Sequence, residues 1–127
     1  MRFFFDNNLS YRLVDGLKAF GEDVVHLTEY FSADEKDTVW LEYIGQNGWV
    51  LITRDEKIRW NPAELAAFRR NRVGAFFLGG KNKSGWDLIQ QIIRVWPTIN
   101  DYAEHTNKPY AFRIPPNGTK FTKMDLS

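Results

Sequence analysis

Three aspartates occupy positions at which α/β proteins commonly carry functional residues, after predicted strands and at the start of a predicted helix. Asp6 follows the apolar run Phe3–Phe5, Asp55 follows an apolar run that ends at Thr53, and Asp37 lies in the first turn of a predicted helix. Carboxylates held close together repel one another and raise their own pKa values, so a cation usually compensates them. Ligation by oxygen alone favours Mg²⁺ or Mn²⁺. We therefore interpret the three aspartates as candidate catalytic and metal-binding residues.

Polar and basic side chains surround these acids in the sequence. The candidate supporting residues, which would orient a carboxylate or a water or add a further ligand, are Asn8, Thr53 and Glu56. The candidate substrate-binding residues are Arg54, Lys57 and Arg59. A divalent cation polarises a phosphoryl oxygen and lowers the pKa of a bound water, which suits the hydrolysis of a phosphodiester. Basic side chains beside such a site would attract phosphates without reading a base sequence.

Strands and helices alternate along the chain and would position these residues. Buried strands are predicted over 2–6, 23–27, 49–53 and 73–78, and a late strand over 110–114. Helical spacing predicts helices over 9–20, 34–47, 61–71 and 84–96, and a short helical segment over 98–106. Pro97 is expected to stop or restart the fourth helix, and the tail from Pro115 shows turn signals without a clear period.

This alternation predicts an α/β fold, a three-layer α/β/α sandwich with a central, mainly parallel sheet. Ligands bind at the carboxyl ends of the strands in such sheets, which is where Asp6 and Asp55 stand and where the helix of Asp37 begins. The length of 127 residues fits a single domain over 1–127. We expect its core over about 1–105 and a C-terminal extension over 106–127.

Composition narrows the functional classes. The chain has no cysteine, which excludes zinc ribbons, iron–sulfur clusters, thiol catalysis and disulfide scaffolds. No apolar run approaches the length of a membrane span, so we expect a cytoplasmic protein without a membrane partner. Residues 1–60 contain 7 Lys and Arg against 11 Asp and Glu, whereas residues 61–127 contain 10 against 5. An acidic pocket on a basic surface would produce this asymmetry, and scattered solvated charge would produce it as well.

The other aromatic and titratable side chains favour structural roles, with one left open. His26 lies in a predicted strand and is expected to be a hydrogen-bonded interior residue. Four tryptophans are predicted to pack in the core, namely Trp40, Trp49, Trp86 and Trp96. Trp60 either packs against the third helix or stacks on an unpaired base. Two basic stretches, 69–72 and 81–83, extend the predicted basic surface, although the first could simply stabilise the end of a helix.

The stretch 5–9, Asp37 and the apolar run into 53–55 together resemble the PIN and PIN-like domain family, in particular the toxin ribonucleases of bacterial toxin–antitoxin pairs. The resemblance covers roughly residues 1–80. It implies a parallel sheet with acids at the strand ends that bind Mg²⁺ or Mn²⁺ for RNA cleavage, with Asp6, Asp37 and Asp55 as those acids. It also implies RNA as substrate, a cognate antitoxin as a partner and, in some members, a homodimer.

Two other functional classes remain open. A catalytically inactive module that binds nucleic acid or protein would keep the scaffold without a working acid set. A receiver-like phosphoacceptor domain has about this length and also carries acids at its strand ends. That class expects paired acids after the first strand, an acceptor aspartate at the end of the third and a lysine after a fifth parallel strand. The sequence fits it less well, because Asn7 and Asn8 follow Asp6.

Overall fold

A six-stranded sheet runs through the centre of the molecule. The computed structural model describes residues 1–81 and 83–127, and Asn82 of the predicted basic surface lies outside the described residues. The strands are β1 (Phe3–Phe5), β2 (Val24–His26), β3 (Val50–Thr53), β4 (Gly74–Leu78), β5 (Tyr110–Ile114) and β6 (Thr122–Lys123). Their order in the sheet is β2-β1-β3-β4-β5-β6, and every neighbouring pair is parallel except β5 with β6. The predicted mainly parallel α/β sandwich is confirmed.

Helices cover both faces of this sheet. They are α1 (Tyr11–Ala19), α2 (Asp37–Asn47), α3 (Lys57–Trp60), α4 (Pro62–Arg70) and α5 (Gly85–His105), with a short 3₁₀ turn over Leu27–Glu29. Ser10 caps α1 by accepting a hydrogen bond from the Arg12 amide, as its position in the sequence predicts. Gly48 ends α2 in the left-handed region at a φ of 71°, which turns the chain directly into β3.

The alternation of side chains along the strands separates two cores. Phe3 and Phe5 pack with α1 and α5 on one face of the sheet, whereas Phe4 packs with α2 and α4 on the other. Leu51 belongs to the same face as Phe4. Because successive side chains alternate, the residues two positions beyond these, Asp6 and Thr53, are directed to the side of α2 and α4. The pleat therefore brings the acid after β1 towards the helix that begins at Asp37.

Two local predictions were wrong, and one short helix was not predicted. The segment from Gly85 to His105 is one helix that passes through Pro97. Trp86, predicted to be a core residue, is 67% exposed in the first turn of that helix, ahead of its first buried position at Gln91. The one-turn helix α3, which leads from β3 into α4, was not predicted.

The C-terminal segment 106–127 is an integral part of the sheet. It supplies β5, which pairs along its whole length with β4, and β6, which runs back along β5. Phe121 adds to the core on the side of α5, and Met124 adds to the core on the side of α4. Among the helices of the described residues, none has the combination of length and apolar character that crossing a membrane requires.

Candidate active site

The candidate site lies where the strand order of the sheet reverses. Strand β1 pairs with β2 on one side and with β3 on the other. The chain therefore continues from β1 to one side of the sheet and later crosses to the other side. In open parallel sheets a crevice forms beyond the carboxyl ends of the strands at such a switch point. Asp6 follows β1 and Thr53 ends β3. Topology therefore brings both residues to the predicted edge.

Hydrogen bonds hold the Asp6 carboxylate in one orientation. Its Oδ1 accepts from the Asn7 amide at 2.6 Å, and its Oδ2 accepts from Thr53 Oγ1 at 2.8 Å. The Asn8 side-chain amide lies 3.4 Å from the same Oδ2. Asp6 is only 9% exposed and Thr53 is fully buried. The predicted supporting roles of Asn8 and Thr53 thus have direct counterparts in contacts with Asp6.

Thr53 also connects Asp6 to the loop after β3. Its Oγ1 accepts hydrogen bonds from the Asp55 amide at 3.0 Å and from Asn8 Nδ2 at 3.1 Å. Asn8 Oδ1 in turn accepts from the Arg54 amide at 3.2 Å. These bonds fix the backbone that carries Asp55, whose Oδ1 accepts from the Lys57 amide at 2.9 Å and so also serves the start of α3.

The predicted acids act on one another through their charges. Burial raises the pKa of Asp6, and the negative charges of Asp37 and Asp55 raise it further, against the hydrogen bonds from Thr53 and Asn7, which lower it. Burial likewise raises the pKa of Asp37, with Asp55 the next contribution. The charges of Asp37 and Asp55 thus act on Asp6, and we call the three predicted acids the acid cluster.

A fourth acid, Glu64, belongs to the acid cluster and was missed in the sequence. Burial raises its pKa, followed by the charge of Asp37 and a side-chain hydrogen bond with Asp37, and Asp55 contributes as well. Its Oε2 is buried without a hydrogen-bond partner among the described residues. Glu64 lies in the first turn of α4, and Asn61, directly before the helix, caps it by accepting from the Ala63 and Glu64 amides. An unpaired buried carboxylate oxygen is costly unless a cation or a proton occupies it.

Two signals in the sequence could have identified Glu64. It stands three residues after the cap Asn61, in the same first-turn position that drew attention to Asp37. It also precedes the buried pair Ala67 and Phe68 by three and four residues, which places it on the inward face of α4. Only the packing of α4 beside α2 turns this inward position into a contact with Asp37.

The other predicted site residues have different surroundings. Glu56 forms ion pairs with Arg113 and, at 3.8 Å, with Arg59, so its carboxylate faces two arginines. Arg59 also lies over the ring of Trp60, at 5.1 Å from its centroid. Lys57 is exposed at the start of α3, and its positive charge acts to lower the pKa of Asp37 and Glu64, against the larger effect of burial. Arg54 is partly exposed and contacts Asn8 through its backbone amide.

Trp60 and His26 resolve two further expectations. Trp60 is 72% exposed, so it does not pack into the core against the neighbouring helix. His26 is buried in β2, where its Nε2 lies 2.7 Å from the Leu9 carbonyl and its Nδ1 lies 2.7 Å from Thr28 Oγ1. The prediction of an interior, hydrogen-bonded histidine is confirmed.

The acid cluster has donor atoms that suit a divalent cation, but its side chains do not form a closed cage around one. Its donors are all carboxylate oxygens, and the buried Oε2 of Glu64 lacks a partner among the described residues. Within residues 1–81 and 83–127, however, no three histidine, cysteine or acidic side chains converge closely enough to hold one ion between them. Mg²⁺ commonly binds through one or two carboxylates and keeps several waters, which such an arrangement accommodates.

A comparison with protein families identifies the fold. Residues 1–80 match the model of a family described as a PIN-like domain. The chain belongs to the PIN-like domain family. PIN-like domains are commonly nucleases, and the match contains every member of the acid cluster. Neither the curated proteins nor the solved structures that were compared with the chain gave a match.

The rest of this PIN-like domain lies beyond the matched residues. Helix α5 and strands β5 and β6 fall within 81–127 and complete the sheet on the side away from β2. The fifth parallel strand ends at Ile114 and is followed by Pro115 and Pro116, so the lysine that a receiver-like domain places there is missing from the sequence. The strand that would carry the acceptor aspartate ends instead in Thr53.

Proposed function

We propose that this PIN-like domain is a metal-dependent endoribonuclease that hydrolyses phosphodiester bonds of RNA with Mg²⁺ or Mn²⁺. The observation that carries the proposal is the buried Asp6 carboxylate at the switch point of the sheet, held by Thr53, with the charges of Asp37 and Asp55 acting on it and Glu64 beside Asp37. Four carboxylates in one partly buried group lower the stability of the fold unless positive charge compensates them. Such a cost is typical of a functional site.

The residues of the chain have separable roles in this proposal. Asp6 and Asp37, with Asp55 and Glu64 beside them, would hold the cation, which supplies polarisation of the phosphoryl oxygen and a more acidic water. Asn8 and Thr53 orient the Asp6 carboxylate through the hydrogen bonds described above. Arg54 and Lys57 supply positive charge next to the acid cluster for the phosphate, and Arg59 extends that charge towards Trp60.

The test is RNA cleavage by the purified protein. We expect single-stranded RNA to be cut with Mg²⁺ or Mn²⁺ and to stay intact in EDTA, and we expect Asp6→Asn and Asp55→Asn to abolish cutting. Asp15→Asn is a matched control, because Asp15 is an exposed aspartate of α1 on the opposite face of the sheet. Cleavage that survives both site substitutions, or that needs no metal, would contradict the proposal.

A catalytically inactive RNA-binding module is the second candidate. It is favoured by one observation, that no three potential ligands in the described part of the chain converge on one ion. This candidate predicts salt-sensitive RNA binding without cleavage under any metal. Titration calorimetry with Mn²⁺ separates the two, because the nuclease requires metal uptake that Asp37→Asn weakens, whereas the inactive module shows no uptake.

We further propose that the nuclease acts as the toxin of a toxin–antitoxin pair, on the sequence resemblance alone. Expression in a bacterial host is expected to arrest growth with the wild-type chain and not with Asp6→Asn. Growth that is equally slow with both proteins would point to an effect of overproduction and contradict the toxin role. A cognate antitoxin, and a homodimer, remain proposals of the same origin.

A further inference from the structure

A groove of about 1010 Å³ lies between α4 and the C-terminal part of the sheet. It is lined by Ala66, Arg69, Arg70, Pro109, Tyr110, Ala111 and the segment 123–126. The fold leaves this groove because α5 crosses from β4 to β5 on the opposite face, where it packs with α1. On the side of α4, Ala111 of β5 shares a core with Met124 of the tail, whose amide donates to the Ala111 carbonyl at 2.8 Å. The floor and one wall therefore lie outside the part of the chain that matches the family.

Three cations face this groove without a partner. Arg69, Arg70 and Lys123 are exposed, and within the described residues their side chains form no ion pair and no hydrogen bond. The acidic member of the lining, Asp125, uses its Oδ1 to accept from the Ser127 amide and hydroxyl. Arg69 and Arg70 would also suit the C-terminal end of a helix, but Lys123 lies on a strand, where that explanation fails.

The groove adjoins the acid cluster through two structural links. Helix α4 carries Glu64 in its first turn and Arg70 at its last residue, which are separated by about 9 Å along the helix axis. Arg59 of α3, which follows the loop of Asp55, donates a hydrogen bond of 3.3 Å to the Asp125 carbonyl on the rim of the groove. Helix α4 therefore runs from the acid cluster at its first turn to the groove at its last turn.

We propose that this groove binds the phosphate backbone of single-stranded RNA on one side of the scissile bond. The inference rests on the proposed function for its choice of polyanion, and it adds a second contact surface to it. Unpaired arginine and lysine side chains bind phosphates by charge and release the counterions of the RNA. The groove therefore raises affinity for long RNA without selecting a base sequence, and a substrate too short to leave the acid cluster does not use it.

The experiment measures the affinity for a long fluorescent oligouridylate in EDTA over a series of salt concentrations. The proteins are the wild type, Arg70→Gln, Lys123→Gln and the matched control Arg12→Gln, an exposed helix arginine on the opposite face. Log affinity falls as log salt rises, and each groove substitution is expected to reduce the magnitude of this slope by about 0.7. That is the value for one phosphate contact with a single strand. Arg12→Gln is expected to leave the slope unchanged.

Equal slopes in all four proteins would overturn the inference. It would also be overturned if polyglutamate bound more tightly than RNA and lost affinity in the groove variants, because the groove would then serve an acidic protein. Cleavage of a trinucleotide with Mn²⁺ keeps the two proposals distinct. Normal cleavage with unchanged slopes refutes only the proposal for the groove. Absent cleavage, with slopes of smaller magnitude in the groove variants, refutes the nuclease and supports the groove as an RNA-binding site.

Discussion

Thr53 Oγ1 donates a hydrogen bond of 2.8 Å to Asp6 Oδ2 and joins the carboxyl ends of the two strands at the switch point. The same oxygen accepts from the Asp55 amide, so one buried hydroxyl connects both loops of the candidate site. Its hydrogen bond lowers the pKa of Asp6 against the larger effect of burial. The hydroxyl thus both holds the loops of the candidate site together and lowers the pKa of Asp6.

Replacement of Thr53 by valine tests this connection. Thr53→Val removes the hydroxyl and leaves Asp6 Oδ2 and the Asp55 amide without that partner in a buried setting. We expect the free energy of unfolding to fall by about 1–3 kcal/mol, measured by urea denaturation. Thr53→Ser keeps the hydroxyl, and its free energy of unfolding is expected to fall less. Equal losses in both variants would assign the effect to packing of the methyl group.

The acid cluster predicts a gain of stability when one carboxylate is neutralised. The pKa of Glu64 is raised in the fold, so the folded state binds its proton more tightly than the unfolded state does. Stability contributed by this group is therefore lowest at neutral pH and rises as the pH falls through its folded pKa. Glu64→Gln is expected to raise the Tm in EDTA at pH 7 by a few degrees, with a smaller gain at pH 4.

The control for this prediction is Glu104→Gln, since Glu104 is an exposed glutamate near the end of α5 and outside the acid cluster. It is expected to change the Tm little at either pH. A Tm of Glu64→Gln that lies below the wild type at pH 7 would show that the Glu64 carboxylate stabilises the fold, contrary to its surroundings.

Gln91 holds the carboxyl ends of β4 and β5 together. It is fully buried in α5, and its Nε2 donates to the Gly79 carbonyl at 3.1 Å and to the Pro115 carbonyl at 2.9 Å. Gln91→Leu leaves both carbonyls unpaired and is expected to cost about 1–3 kcal/mol of unfolding free energy. Gln90→Leu, at the exposed neighbouring position, should cost little; similar losses would show that the two bonds contribute nothing.

The cap of α4 is expected to support both the helix and the position of Glu64. Asn61 Oδ1 accepts from the Ala63 and Glu64 amides at 3.0 and 3.1 Å. Asn61→Ala is predicted to lower the unfolding free energy by about 1 kcal/mol, whereas Asn61→Asp keeps an accepting oxygen and stays near the wild type. Chemical denaturation of the three proteins measures the difference, and an alanine variant as stable as the wild type would exclude a role for the cap.

Pro97 shows how tertiary packing overrode a local signal. Proline removes the helical hydrogen bond to the carbonyl four residues earlier, here that of Ile93, and so favours a break. Both Ile93 and Pro97 lie on the exposed face of α5, where water can satisfy the freed carbonyl. The buried positions on either side, Val95 and Ile99, keep one continuous apolar face against the sheet. Burial along that face favours a single helix.

The composition of the acid cluster shows the same division between sequence and structure. Glu56 directly precedes α3 and Glu64 lies in the first turn of α4, so both acids stand at a helix start and the local pattern does not separate them. The structure pairs Glu56 with Arg113 of β5 and turns Glu64 towards Asp37 of α2. Both outcomes depend on which strand and which helix become neighbours, and those partners lie far apart in the sequence.

The sequence alone determined the alternation of strands and helices, the edge at which Asp6 and Asp55 emerge and the interior place of His26. These features follow from the spacing of apolar residues and from caps, which act over a few positions of the chain. Only the tertiary structure decided that Glu64 joins the acids, that Glu56 pairs with Arg113 of β5 and that β5 pairs with β4 in the sheet. Long-range packing sets those contacts, because side chains distant in sequence become neighbours only after the strands take their order in the sheet.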